Sequence, residues 1–344
     1  MKVPRASKYL PLVLVIVVVL VLWQYSCKQS ILTDREQPLR LRTPNPTTPN
    51  YNYEHSTVAD RDDLLRNTVQ KVTAPPVKIF DLPSANATKF CSPFVVPGKE
   101  QPITLCTYDP KHDLISGKVH KAHGFNTPTQ RMMFSEMAKH NSASGKKGKD
   151  ELCFVDIGAN MGTYTLAAAA LGYRVLAVDA FNYSLELLAT SLRLNNLTSR
   201  VTMLENVISD EHGKFRLSIV SRESMAMNRI LPEGSLRKSL EDTDPIDAVL
   251  MDDLIPYLPT RRVFLKMDIE SSEARAVRGA SKFFQKAHVV GILMEFFEIK
   301  HSPADKDTVI NFMTSRGYKP YMEPGGPTLL NRPLKDWKQN VFWL

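Results

Sequence analysis

The amino-acid sequence predicts an α/β fold, a doubly wound and mostly parallel sheet occupying residues 151–344. Three observations carry the prediction. Short apolar runs alternate with helical patterns from Glu151 onward, the signature of repeated strand–helix units. The first run, LCFVDI (152–157), is apolar almost throughout, as in strands covered on both faces. A glycine-bearing turn, GANMGT (158–163), then leads into a helix, at the strand end where open α/β sheets bind ligands.

The elements follow in chain order. Lys2, Arg5 and Lys8 precede an uncharged apolar run, Leu10–Trp23, flanked by Tyr9 and Tyr25. The run with its flanks, residues 9–27, is about as long as a short membrane span. Its basic side faces the cytoplasm, so residues 1–8 form a cytoplasmic tail and the remainder is lumenal. The following QYSCKQS (24–30) offers no small-residue cleavage site, which favours a retained signal anchor over a cleaved leader. The chain is thus expected to be a single-pass type II membrane protein of the Golgi or endoplasmic reticulum. Residues 28–88 read as a stem: TPNPTTPNYNYEHS (43–56) has too little apolar surface to fold alone. A short helix fits Asp60–Lys71. Residues 89–150 form an N-terminal extension, with a strand at ITLCTYD (103–109), a helix over Thr127–His140 and a polar loop over 141–150.

Within 151–344 the strands are LCFVDI, RVLAVDA (174–180), VTMLENVIS (201–209), VFLKMDI (263–269) and VVGILMEFF (289–297), with an added β segment KFRLSIV (214–220). Helices fall at 165–172, Tyr183–Asn195, Glu273–Gln285 and Asp305–Arg316, and short β pieces, KPYME, TLL and VFWL, close the chain.

The net charge of +8 is spread along the chain and reads as a solvated mixed surface, with no nucleic-acid partner expected. The four cysteines show no zinc-site spacing. An oxidising compartment would allow Cys91 and Cys106 to pair, whereas Cys153 sits in an apolar strand as a buried thiol. Three sequons occur, at Asn86, Asn182 and Asn196; Asn86, in the stem, is the best glycosylation candidate, and Asn182 falls too near the expected cofactor site.

The chemistry concentrates at the strand ends. Gly158 and Gly162 let the backbone turn sharply and approach a ligand closely. Asp179 closes the second strand, where a carboxylate can accept hydrogen bonds from ribose hydroxyls, so a nucleoside-containing cofactor is implied. A dinucleotide site calls for G-x-G-x-x-G with pyrophosphate at the helix N-terminus. Here the pattern is Asp156-x-Gly158-x-Asn160-x-Gly162-Thr163, and a carboxylate beside pyrophosphate would repel it. Asp156 suits the ammonium of a sulfonium-bearing amino acid instead, which favours S-adenosylmethionine over a nicotinamide cofactor. In VFLKMDIESSEARAVRGA (263–280), Lys266, Asp268 and Glu270 alternate and share one face, with Asp268 and Glu270 over the site. Glu273 opens the next helix, and Lys266 is placed to pair with a carboxylate.

These segments, with VTMLENVISDEHGKF (201–215), DAVLMDDLI (247–255) and GILMEF (291–296), resemble the FkbM family of methyltransferases over about residues 150–320. The region of Cys91, Cys106 and ISG (115–117) resembles the lead-in of membrane-anchored animal members. The resemblance implies a class I, Rossmann-like methyltransferase that transfers a methyl group to oxygen, with several members acting on sugar or polyketide hydroxyls. Two departures stand out. Ser271 occupies the place of a family glycine, where it is expected to narrow the site floor or alter the backbone, and Asp179-Ala180 replaces the frequent Glu-Pro.

The expected cofactor-binding set is Asp156, Gly158, Asn160, Gly162, Thr163, Asp179 and Asn206. Asp268 is the first expected base, Glu270 the second and Glu295 the third. Asp268 and Glu270 are alternatively ligands of a divalent metal, which His301 could join. A lumenal enzyme would meet glycans, glycolipids and secreted proteins; a sugar hydroxyl is the expected acceptor. The competing readings are a membrane-tethered, non-catalytic binding protein with a decayed methyltransferase domain, and a nicotinamide-dependent oxidoreductase.

Overall fold

A computed structural model describes residues 77–81, 90–144, 151–218, 229–232, 244–297 and 299–344. The expected anchor (9–27), residues 1–8, the expected helix Asp60–Lys71, Asn86 and most of the stem lie outside the described residues. Among the described residues no helix is long and apolar enough to cross a membrane.

The strands are β1 (Cys91–Phe94), β2 (Ile103–Cys106), β3 (Leu152–Ile157), β4 (Val175–Asp179), β5 (Val201–Glu205), β6 (Val207–Ser209), β7 (Gly213–Ser218), β8 (Arg229–Pro232), β9 (Ile246–Leu250), β10 (Arg262–Met267), β11 (His288–Glu295), β12 (Pro320–Tyr321) and β13 (Asn340–Trp343). The α-helices are α1 (Leu114–Ala122), α2 (Thr127–Ser144), α3 (Thr163–Ala170), α4 (Asn182–Leu194), α5 (Glu273–Arg278), α6 (Ser281–Lys286) and α7 (Pro303–Thr314).

Seven strands form the main sheet in the order β12-β13-β11-β10-β3-β4-β5. The five from β11 to β5 run parallel, and β13 and β12 join antiparallel. Strand order reverses between β3 and β10, which opens a crevice beyond their carboxyl ends. Alternation along β3 explains why the sheet is covered twice. Phe154 packs with α3 and α4 residues such as Leu166 and Leu188, whereas Cys153, Val155 and Ile157 pack with Ala276, Val277 and Phe283 on the opposite face. The prediction of a parallel, doubly wound sheet holds.

Three local expectations are corrected. The run 201–209 is two strands. β5 stays in the main sheet, while β6 leaves it at Asn206 and pairs with β9 in a separate four-stranded sheet ordered β6-β9-β7-β8. The run 273–285 is two short helices, α5 and α6, broken at Gly279. A Cβ on Gly279 would lie 2.4 Å from the carbonyl oxygen of Ser209, so the glycine lets the end of α5 settle on β6. The helix α2 continues four residues past His140, into the segment expected as loop. Residues 77–81, inside the expected stem, run along the edge of β5: Ile79 bridges Leu204, and the Phe80 N–H donates to the Met203 carbonyl at 2.9 Å. Cys91 and Cys106 are directly opposed in the β1–β2 pair and joined by a disulfide, and Cys153 is a buried free thiol.

Candidate active site

A cavity of about 420 Å³ lies at the switch point, walled by the carboxyl ends of β3, β4, β10 and β11 and by residues from α1 and the loop after it. Its volume falls in the range of small-molecule sites.

One end is built on the β3 turn. Three residues there hold positive φ: Gly158 at 78°, Asn160 at 50° and Gly162 at 90°. Asn160 tolerates that conformation because its side-chain carbonyl accepts the Met161 N–H at 2.7 Å. Its own N–H donates to Asp179 Oδ2 at 2.7 Å, and the Phe181 N–H donates to Asp179 Oδ1 at 2.8 Å. Asp179 is thereby fixed at the cavity wall by two backbone donors. Burial pushes its carboxyl up to about 6, although both N–H groups favour the ionised form. Ala159, Asn160, Thr163 and Phe181 also face the cavity.

Asp156 does not face it. Its side chain has no exposed surface; Oδ2 accepts from the Thr165 hydroxyl at 2.7 Å, and Oδ1 lies 3.2 Å from Lys266 Nζ. The expected grip on a cofactor ammonium is corrected to a supporting role, because the carboxylate is fully buried, off the cavity wall, and engaged by Thr165 and Lys266. Gly162 is corrected likewise. It lies off the cavity wall, and a Cβ there would sit 2.3 Å from Leu188 Cδ1, so its need is helix packing between α3 and α4. Asn206 borders the cavity, but its amide already accepts the Lys78 N–H at 2.9 Å and donates to the Asp247 carbonyl at 3.1 Å. It ties residues 77–81 to the point where the two sheets part.

Lys266 joins the two ends. Its ammonium donates to the Gly158 carbonyl at 3.0 Å and lies 3.7 Å from Asp268 Oδ2 and 5.3 Å from the Tyr164 ring centroid. Burial alone would lower its pKa, but Asp156 and Asp268 outweigh that and raise it, so the ammonium stays charged. Gly158 is required for the same closeness, since a Cβ there would come within 1.9 Å of the Asp268 carbonyl oxygen.

At the far end, β10 stops at Met267 and the chain turns through Glu270, with φ of 50°, and Ser271, with φ of 78°. The turn brings carboxylate oxygens of Asp268, Glu270 and Glu295 within 4.8 Å of one another. Glu295 ends β11 and is 6% exposed. Its Oε1 accepts from Gln339 Nε2 at 2.8 Å, and Oε2 meets no donor among the described residues. Burial pushes its carboxyl up to about 9, with Asp268 and Glu270 adding to the rise. Ser271 is exposed and off the cavity wall, so it does not narrow the floor; it holds the left-handed backbone that a glycine adopts without strain. Glu273 is buried behind this turn, accepts the Ile269 N–H at 2.9 Å, and is pushed up to about 7 by burial. His301 stands apart from the three carboxylates and packs edge-on against Phe297.

Residues 156–320 match the methyltransferase FkbM domain. The match supports a methyltransferase domain in that part of the chain, and S-adenosylmethionine is the usual cofactor of such families. The match takes in the β3 turn, Asp179, Lys266 and the three carboxylates. Among solved structures the chain is similar to an rRNA methylase from Streptococcus thermophilus, with 13% identity, TM-score 0.34, and coverage of 63% of this chain and 93% of that one. It is also similar to a precorrin-6y C5,15-methyltransferase from Geobacter metallireducens, with 12% identity, TM-score 0.31, and coverage of 62% and 86%. No curated protein sequence matches the chain.

Several wall residues carried no signal in the sequence pattern. Lys118, Phe125 and Asn126 reach the cavity from the extension before β3. Gln339 meets Glu295 only because antiparallel pairing sets Asn340 opposite Glu295.

Proposed function

We propose that this protein is an S-adenosylmethionine-dependent O-methyltransferase whose acceptor is a sugar hydroxyl of a glycan or glycolipid. In this reading it works in the Golgi or endoplasmic reticulum lumen, tethered through residues 9–27. The observation that carries the reading is one cavity, in a methyltransferase domain, with Asp179 at one end and three carboxylates at the other. Asp179 suits a ribose because each oxygen, already oriented by one backbone N–H, keeps a lone pair for a hydroxyl. Phe181, Val207, Ile208 and Leu217 give an apolar wall beside it, fit for an adenine face. The bound cofactor supplies an electrophilic methyl group on a sulfonium.

The protein's own part is positioning and proton removal. Lys266 locks the Gly158 carbonyl and Asp268 into one frame. Asp268, with 35% of its side chain exposed, is the base that takes the acceptor hydroxyl proton. Glu270 adds carboxylate oxygens beside that base, and Glu295, raised to about 9, stands at the acceptor end as a protonated carboxyl at neutral pH. The lumenal assignment is supported by the Cys91–Cys106 bond, which suits an oxidising compartment, and by the basic flank before residues 9–27. Incubation of the purified chain with methyl-tritiated cofactor and a panel of glycans, proteins and lipids tests the acceptor class. Label in a glycan is the expected result; label confined to protein, or to the non-sugar part of a lipid, would exclude a sugar acceptor.

A further inference from the structure

Asp268, Glu270 and Glu295 form an all-oxygen group at the acceptor end of the cavity, with oxygens no more than 4.8 Å apart. Two features make this more than a patch of acid. Glu295 is nine-tenths buried; Gln339 holds its Oε1, while Oε2 has no donor among the described residues and is left as the oxygen free to serve the group. The Lys266 ammonium, 3.7 Å from Asp268, is shared with buried Asp156 and with the Gly158 carbonyl. A buried carboxylate oxygen without a partner is costly, and a positive centre among the three would satisfy it.

We propose that these three carboxylates bind one divalent cation of the oxygen-preferring class, Mg²⁺, Mn²⁺ or Ca²⁺. Carboxylates alone, with no sulfur or imidazole, select hard cations. The span fits: ligand oxygens on opposite sides of a Ca²⁺ at about 2.4 Å each stand about 4.8 Å apart. Gln339 is a positioning residue for Glu295. The binding claim stands without the proposed reaction; only the ion's task, lowering the pKa of an acceptor hydroxyl beside Asp268, rests on it. Each carboxylate has two oxygens, so Asp268 can ligate with one and accept a proton with the other.

The test is a Mn²⁺ titration of the full-length chain in detergent, followed by electron paramagnetic resonance. The expected result is one Mn²⁺ per chain, weakened at least tenfold in Glu295→Gln and in Asp268→Asn and unchanged in Asp307→Asn, which alters an exposed carboxylate outside the cavity. Glu270→Gln serves as a further ligand variant should the buried Glu295→Gln fail to fold. Folded wild type that retains no Mn²⁺ would overturn the proposal, as would equal retention in every folded ligand variant. S-adenosylhomocysteine binding, read in the same samples by calorimetry, separates the two claims: its absence contradicts the methyltransferase reading and leaves the cation result standing.

Discussion

The two ends of the cavity are built on opposite principles. At the β3–β4 end each carboxylate is held by a donor or a cation of the protein: Asp179 by two backbone N–H groups, and Asp156 by the Thr165 hydroxyl on Oδ2 and by the Lys266 ammonium 3.2 Å from Oδ1, which makes an ion pair without a hydrogen bond. At the β10–β11 end three carboxylates converge, and Glu295 Oε2 has no donor among the described residues. A matched site is preorganised for a ligand of fixed shape, whereas an unmatched one is completed by what enters. The comparison assigns cofactor recognition to the first end and acceptor chemistry to the second.

Four changes break or sharpen that contrast. The largest effect belongs to the unmatched end: Asp268→Asn should cut kcat roughly a hundred- to ten-thousand-fold while leaving S-adenosylhomocysteine affinity within about threefold, as steady-state kinetics and calorimetry would read. The link between the ends comes next. Lys266→Met leaves Asp156 buried without its cation and should cost about 3–5 kcal/mol of unfolding free energy, visible in denaturant titration. Glu273 gives the third effect, and it depends on pH. Its folded-state carboxyl is raised to about 7 by burial, above its unfolded value. Stability is then fully present below the unfolded value and is lost as pH rises through about 7, by roughly 3 kcal/mol. Glu273→Gln should flatten that fall in melting temperature between pH 5 and 8. The smallest change is Ser271→Gly, which removes a side chain from a positive-φ position and should raise Tm by about 2–4 °C with little effect on cofactor affinity.

The same contrast separates what the sequence made legible from what it did not. The β3 turn and Asp179 are readable because glycines and a strand-ending carboxylate act locally, within one strand–turn–helix unit. The sheet itself is readable for the same reason, since each buried strand is a continuous apolar run. Burial of Asp156 was not legible, because its partner Lys266 comes from β10, more than a hundred residues later. Asn206 looked like part of a single strand because nothing in VTMLENVIS marks the point where the chain changes sheets; the break comes from hydrogen bonds to Lys78 and Asp247. The grouping of Asp268, Glu270 and Glu295 was half legible. The alternation of the first two in the sequence was visible, but β10 stops at Met267, so they share a turn and not a strand face; the two positive-φ residues that curl the chain, and the register that brings Gln339 to Glu295, are set by tertiary pairing.

The central claim is that Asp179, fixed by two backbone donors, grips the adenosyl ribose of a methyl donor. Calorimetry of the folded wild type and of Asp179→Ala with S-adenosylhomocysteine tests it most directly. The account predicts one ligand per wild-type chain and affinity roughly 10- to 100-fold weaker in the variant, the scale of a lost charge-assisted hydrogen bond. Folded wild type that binds nothing, or a variant that binds as tightly as wild type, would contradict it.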